Sequence, residues 1–172
     1  MNALERPLAG ECPAFYQRYI DQAEGRDLLE VLVNASEVLW SVVRRITPEM
    51  AGHVYAPGKW TIEQVLQHVV DSERVFAYRA LRFARRDATP LPGFDEDAWA
   101  TNTANARRSV KQVMTEHDAV RTATLTFFEG CSAGDLLASG TANGNTFTVR
   151  GLGWAIAGHA MHHATVLRER YL

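Results

Sequence analysis

Cysteine is scarce in this chain of 172 residues: Cys12 and Cys131 are the only two, in unrelated contexts and without Cys-x-x-Cys spacing. That excludes a disulfide framework and a thiolate metal site. A dominant charge is also lacking. The formal net charge is −2, so no overall field draws the chain to nucleic acid or to an acidic membrane surface. One basic cluster, Arg79, Arg82, Arg85 and Arg86, runs against that balance. It reads as a solvated helix flank, and no basic stripe interleaved with aromatics accompanies it. No apolar run approaches the ~20 residues that span a bilayer. The opening MNALERPLAGECPAF lacks the basic, apolar and small-residue order of a secretory signal, so a cytoplasmic protein is the expectation. Internal repeats and low-complexity stretches are missing too. What remains is the ordinary composition of a globular protein, 47% hydrophobic and 22% charged. It is most simply one domain over residues 1–172, large enough for a core of its own.

Residues 1–24 read as a lead-in that packs loosely on a body formed by about residues 25–172. From Asp27 to Ile46, apolar residues recur at three- and four-residue steps, and Thr47-Pro48 stops the pattern. After a connection marked by Pro57-Gly58, Thr61 and Gln64 form a capping-box pattern that opens a second helix ending near Arg86. Residues 87–99 read as a loop. Val110, Val113, Met114, His117, Val120, Leu125 and Phe128 predict a third helix over about 103–129, with Gly130 as its stop. Asn143-Gly144 is a turn signal whose flanks are able to pair as a short hairpin within residues 140–149. A last helix closes the chain from Gly151. Four long helices with long connections predict an all-α four-helix bundle in which at least one connection crosses the bundle end or covers a site.

The histidines are the chemical signal. His159 and His163 stand four residues apart in the last helix, on one face and within an apolar stripe with Leu152, Ile156 and Val166. Two stacked neutral imidazoles suit a divalent metal but supply only two ligands. His68, at the edge of the inward face of the second helix, is the candidate third. It heads a polar line with Ser72 and Arg79, as a cleft between helices needs. His162 is an alternative partner of His159 at i,i+3. His53 lies in a connection, and His117, between Glu116 and Asp118, reads as solvent-facing. On spacing alone, coordination by three histidines and a set of satisfied core histidines both remain open.

Five motifs in order, Tyr55-Ala-Pro-Gly-Lys-Trp60, His68-x-x-Asp71-x-Glu73, Thr89-Pro-Leu-Pro-Gly-Phe94, Thr141-Ala-Asn-Gly-Asn145 and Gly158-His-x-x-His-His163, resemble the DinB-like superfamily, which includes the damage-inducible DinB proteins and the YfiT-type thiol transferases. The resemblance spans about residues 25–172. It implies a four-helix bundle with a crossover connection, assembly as a homodimer, and a divalent metal, zinc or nickel, held by His68, His159 and His163. It further implies a metal-dependent enzyme that activates a low-molecular-weight thiol for transfer to an electrophilic small-molecule substrate. A metal-dependent hydrolase and a non-catalytic metal-binding stress protein are the alternatives. No nucleic-acid or membrane partner is expected.

Around such a site, Asp71 lies one turn from His68 and is a candidate to orient an imidazole N–H; it is equally placed to pair with Arg74 or Arg79 on the helix surface. Arg79 is a candidate for an anionic substrate group or, on composition, a solvated arginine. Glu73 falls about 140° round from His68 and is not expected to be a ligand. Trp60 and Trp154 read as packing residues. The segment Pro90–Trp99 and the Asn143-Gly144 turn are the expected pocket walls.

Overall fold

The computed structural model describes residues 4–103 and 108–172. Four long helices build the body: α2 (Leu28–Val43), α3 (Ile62–Ala84), α5 (Val110–Glu129) and α7 (Val149–Arg170). Short elements decorate it: α1 (Ala14–Ile20), α4 (Glu96–Thr103), α6 (Ala133–Leu136) and the hairpin β1 (Ser139–Ala142) and β2 (Asn145–Thr148). Among the described residues no helix is long and apolar enough to cross a membrane.

The starts of the helices follow from local chemistry. Asp27, Thr61, Ser109 and Thr148 each accept a hydrogen bond from a first-turn backbone N–H of α2, α3, α5 and α7. Thr61 with Gln64 and Ser109 with Gln112 complete capping boxes. The second of these corrects the third predicted helix, which begins at Val110 rather than near Thr103. The stretch before it is a separate helix, α4, inside and beyond the predicted loop, and residues 104–107 lie outside the described part. The hairpin pairs Ser139 with Thr148 and Ala142 with Asn145. Asn143 and Gly144 both take positive φ, 49° and 71°, as a tight turn matching strand twist requires.

α2 packs against α7 and α5, and α3 packs against the same two. Consecutive α2 and α3 therefore stand across the diagonal of the bundle, as do α5 and α7. That is why residues 44–61 and 130–148 are long: each must cross the bundle end. The core runs from Leu28, Leu32 and Leu39 through Leu66, Phe76 and Phe83 to Phe128, Leu152 and Trp154.

The lead-in is not loose. Tyr19 and Ile20 of α1 are buried, and the core includes Cys12, Ile20 and Ala23. α1 lies directly on α7. A Cβ on Gly158 would sit 1.9 Å from the Tyr19 carbonyl oxygen, a separation that no side chain tolerates. Glu11 locks the same segment: Arg150 Nε donates to its Oε2 at 2.6 Å, Arg150 Nη2 to its Oε1, and Thr148 Oγ1 to Oε2 at 2.9 Å. Arg150 is 1% exposed. A second buried pair, Arg121 with Glu73 at 2.8 and 2.9 Å, ties α5 to α3, and Arg121 also donates to the Leu32 carbonyl of α2. Glu73 thus has a structural partner. His117, expected in solvent, is 1% exposed: it shares the inward face of α5 with Val113, Val120 and Arg121, and its Nδ1 lies 3.1 Å from Asp118.

Two outcomes follow. Gly158→Ala should lower stability by about 1–3 kcal/mol through overpacking in urea unfolding, whereas Gly52→Ala, with open space around it, should not. The hydrogen bond from Arg150 holds the Glu11 carboxyl below its ordinary pKa of 4.5. The folded state therefore gains stability from ionised Glu11 above that pH, and loses it as pH falls through the lower folded value. Glu11→Gln should cost about 3 kcal/mol by stranding Arg150 and should flatten the fall in stability below pH 4.5 in a series of denaturant titrations.

Candidate metal centre

His68 on α3 and His159 and His163 on α7 meet at the contact between the two helices. The capping box at Thr61 sets where α3 begins, and with it the angular position of His68 about two turns later. On α7 the four-residue spacing stacks the other two rings, with centroids 4.5 Å apart. His68 Nε2 lies 3.0 Å and His163 Nε2 3.1 Å from His159 Nε2, and the candidate ligand nitrogens of the three rings all fall within 4.8 Å of one another. Nitrogens bonded to one zinc ion at about 2.0–2.1 Å are themselves separated by roughly 3 Å, so the convergence matches the donor set of a single cation.

The electrostatics fit the same group. Burial lowers the pKa of His68 to about 4, against the opposing pull of Asp97. Burial also takes His159 and His163 well below the ordinary imidazole value, and the proximity of the other rings adds to it. All three are therefore neutral near pH 7 and offer lone pairs, the form in which imidazole binds metals. Three neutral rings whose Nε2 atoms face one another cannot all be satisfied by hydrogen bonds among themselves. A cation accepts all three lone pairs.

The surroundings are aromatic. The Trp60 ring sits 4.8 Å from that of His68. It is held by a hydrogen bond from its Nε1 to Asp97 at 3.0 Å and by one from the Tyr171 hydroxyl to its carbonyl at 2.6 Å. Trp60 therefore does more than fill the core: it fixes a histidine. Trp154 is buried packing, 1% exposed. Tyr19 meets His159 and His162 edge-on, with ring centroids 5.4 and 5.1 Å apart. His162 packs between that ring and His163, 5.1 Å away, and is not part of the converging ligand set. His53 is exposed near Tyr171.

A pocket of about 100 Å³ opens beside the cluster. α1 contributes Phe15, Tyr16 and Tyr19; α3 contributes His68, Ser72, Phe76 and Arg79; α7 contributes His159; Gly93, Phe94, Glu96 and Asn143 close it. Both expected loop walls are thus present. Gly93 lets the two walls approach closely: a Cβ on it would come 2.5 Å from Asn143 Oδ1, so any larger residue needs the Asn143 side chain to shift. The wall that sequence reasoning missed is α1. Its signal was Phe15, Tyr16 and Tyr19 grouped on a short helix behind Pro13.

The two candidate polar residues separate. Asp71 accepts a hydrogen bond from Gln67 Nε2 at 2.9 Å and has none to an imidazole among the described residues, so it does not orient His68. The buried Nδ1 of His163 likewise has no hydrogen-bond partner among them. Arg79 is buried in the pocket wall, not solvated. The basic cluster it belongs to is dispersed, with Arg82 paired to Asp87 and Arg86 to Asp135.

Comparison with known proteins agrees with this architecture. The solved structure of YfiT from Bacillus subtilis, described as a probable metal-dependent hydrolase with an unusual four-helix bundle topology, superposes with a TM-score of 0.68 over 97% of this chain and 93% of that one, at 16% identity. At that identity the likeness is one of fold. A curated protein of Oceanobacillus iheyensis, named provisionally as a metal-dependent hydrolase, is 33% identical over 63 residues. That match spans 36% of each chain, so only about a third of the curated relative's length is compared. The model of the DinB superfamily matches residues 32–167. Most of the sequence lies within that match, and the chain belongs to the DinB superfamily.

Proposed function

We propose that this protein is a metal-dependent enzyme in which His68, His159 and His163 hold one divalent cation, zinc or nickel, beside a small aromatic pocket. The observation that carries the reading is the convergence of three neutral imidazole nitrogens within 4.8 Å, drawn from two helices. A set of three protein ligands is the pattern of catalytic rather than structural zinc sites, which use four. The names of the two relatives, both given as metal-dependent hydrolases, support the same class.

A divalent cation held there supplies Lewis acidity, which makes water or a thiol an effective nucleophile near neutral pH. The rest is done by the chain. His68 and His159 border the pocket, so a molecule lodged in it lies against the ligand set. Tyr16, Tyr19, Phe76 and Phe94 line the pocket with apolar surface, so a molecule lodged there displaces water, which strengthens electrostatic interactions inside. Trp60, pinned at both its indole N–H and its carbonyl, holds the His68 ring in position.

Hydrolysis and thiol transfer use this site alike and differ in the nucleophile. The relatives' names favour water. The motif resemblance favours a small thiol, whose apolar body and sulfur suit the aromatic walls.

Protein purified without a chelating tag should carry close to one equivalent of zinc or nickel by elemental analysis. His159→Ala should weaken that affinity by at least about 100-fold, more than loss of an outer-shell group does, while His162→Ala should leave it intact. Chelation should abolish turnover of activated esters or of electrophile plus thiol. Activity without added thiol identifies the hydrolase, and a strict thiol requirement the transferase. Stoichiometric metal with neither activity would support the non-catalytic alternative, and no metal in any preparation would remove the proposal.

A further inference from the structure

One charge in the pocket has no counterpart. The Arg79 side chain is 3% exposed. Its single hydrogen bond among the described residues runs from Nη2 to the Pro92 carbonyl at 2.8 Å, and no carboxylate pairs with it there. The other buried arginines are neutralised, Arg121 by Glu73 and Arg150 by Glu11. Glu96 shares the pocket lining but is exposed at its edge and makes no ion pair with Arg79. A guanidinium has five N–H donors and keeps its charge at any physiological pH. The Nε and Nη1 of Arg79 are not among the buried atoms without a partner; they are left open on the pocket side, and a charge so placed with no counter-charge favours an incoming anion. The rings of Phe76 and Phe94, 5.6 and 5.9 Å from its central carbon, offset part of that cost through cation–π attraction. They also fix the guanidinium in the wall.

We propose that Arg79 is the oxyanion receptor of this pocket, and that the substrate is a small molecule with a flat apolar body and one carboxylate or phosphate terminus. His68, Ser72, Phe76 and Arg79 follow one face of α3 at steps of four, four and three residues, and all four line the pocket. The first and last stand about 16 Å apart along the helix axis, and helical side chains lean toward the N-terminus, so the long arginine spans part of that distance. The anionic terminus rests on Arg79, the apolar body lies along the surface formed by Tyr16, Phe76 and Phe94, and the reacting end lies beside His68 and His159. The placement of the reacting end rests on the function proposed above; recognition of the anion needs no metal. A merely structural Arg79, pinning the Pro92 loop to α3, would not distinguish a charged ligand from a neutral one.

Metal-stripped full-length protein is titrated with hydrocinnamate, phenyl phosphate and the neutral hydrocinnamamide. Binding is followed by calorimetry and by the Arg79 Nε–H signal in proton–nitrogen correlation spectra. At least one anion should shift that signal and bind about ten-fold or more tighter than the amide, as a charge-assisted hydrogen bond provides; the tighter anion tells carboxylate from phosphate. Arg79→Met should lose the preference and Arg79→Lys keep part of it. His159→Ala should keep the anion preference while losing zinc binding, so failure of the metal assignment is read separately. Equal binding of anion and amide by the wild type would overturn the receptor, as would a folded Arg79→Met that keeps the preference. If Arg79→Met does not fold, the wild-type signal decides: no shift on adding either anion refutes the proposal.

Discussion

Close packing around α7 is the constraint on which the rest of the structure depends. From Val149 to Met161 every residue of this helix is buried, with α1, α2, α3 and β2 all packed against it. A helix surrounded in this way can carry bulk only where a neighbour leaves room. Gly151, Gly153 and Gly158 mark approaches where a single added carbon would meet Cys12, Leu28 or the Tyr19 backbone. The same crowding desolvates His159 and so keeps its ring neutral.

Buried charge is handled in two different ways in this fold. Where a guanidinium ties parts of the chain together, as Arg121 and Arg150 do, a carboxylate from elsewhere in the chain is bonded to both ends of the fork, giving a bidentate pair of high geometric specificity. Where the walls face the pocket, the protein leaves polar groups under-satisfied: three imidazole nitrogens aimed at one another and an arginine resting on aromatic faces. Packing elsewhere in the bundle sustains that local cost, as functional sites commonly require.

Much of the bundle was legible because it rests on local signals. Apolar spacing marked α2, α3 and α7, the Thr61-Gln64 box marked the start of α3, and Asn143-Gly144 marked the hairpin turn. The break between α4 and α5 was harder to read, because the apolar spacing of α5 blurs upstream and the Ser109-Gln112 box is its one local mark. His117 was misplaced for a related reason: charged neighbours at adjacent positions say little about a helix face, since consecutive residues point about 100° apart. Asp71 showed the same limit in reverse, being one turn from His68 yet bonded to Gln67.

What the amino-acid order determined by itself was the set of helices, the stacking of His159 on His163, and the presence of His68 on an inward edge, all consequences of backbone periodicity within one element. Which elements would touch was decided only in three dimensions. The diagonal placement of α2 and α3, the seating of α1 against Gly158, and the burial of Arg79 beside Phe94 each join residues far apart in the chain. Periodicity specifies the face a side chain occupies on its own helix. The neighbour that covers that face, and hence its solvation and charge, is set by how the whole bundle closes.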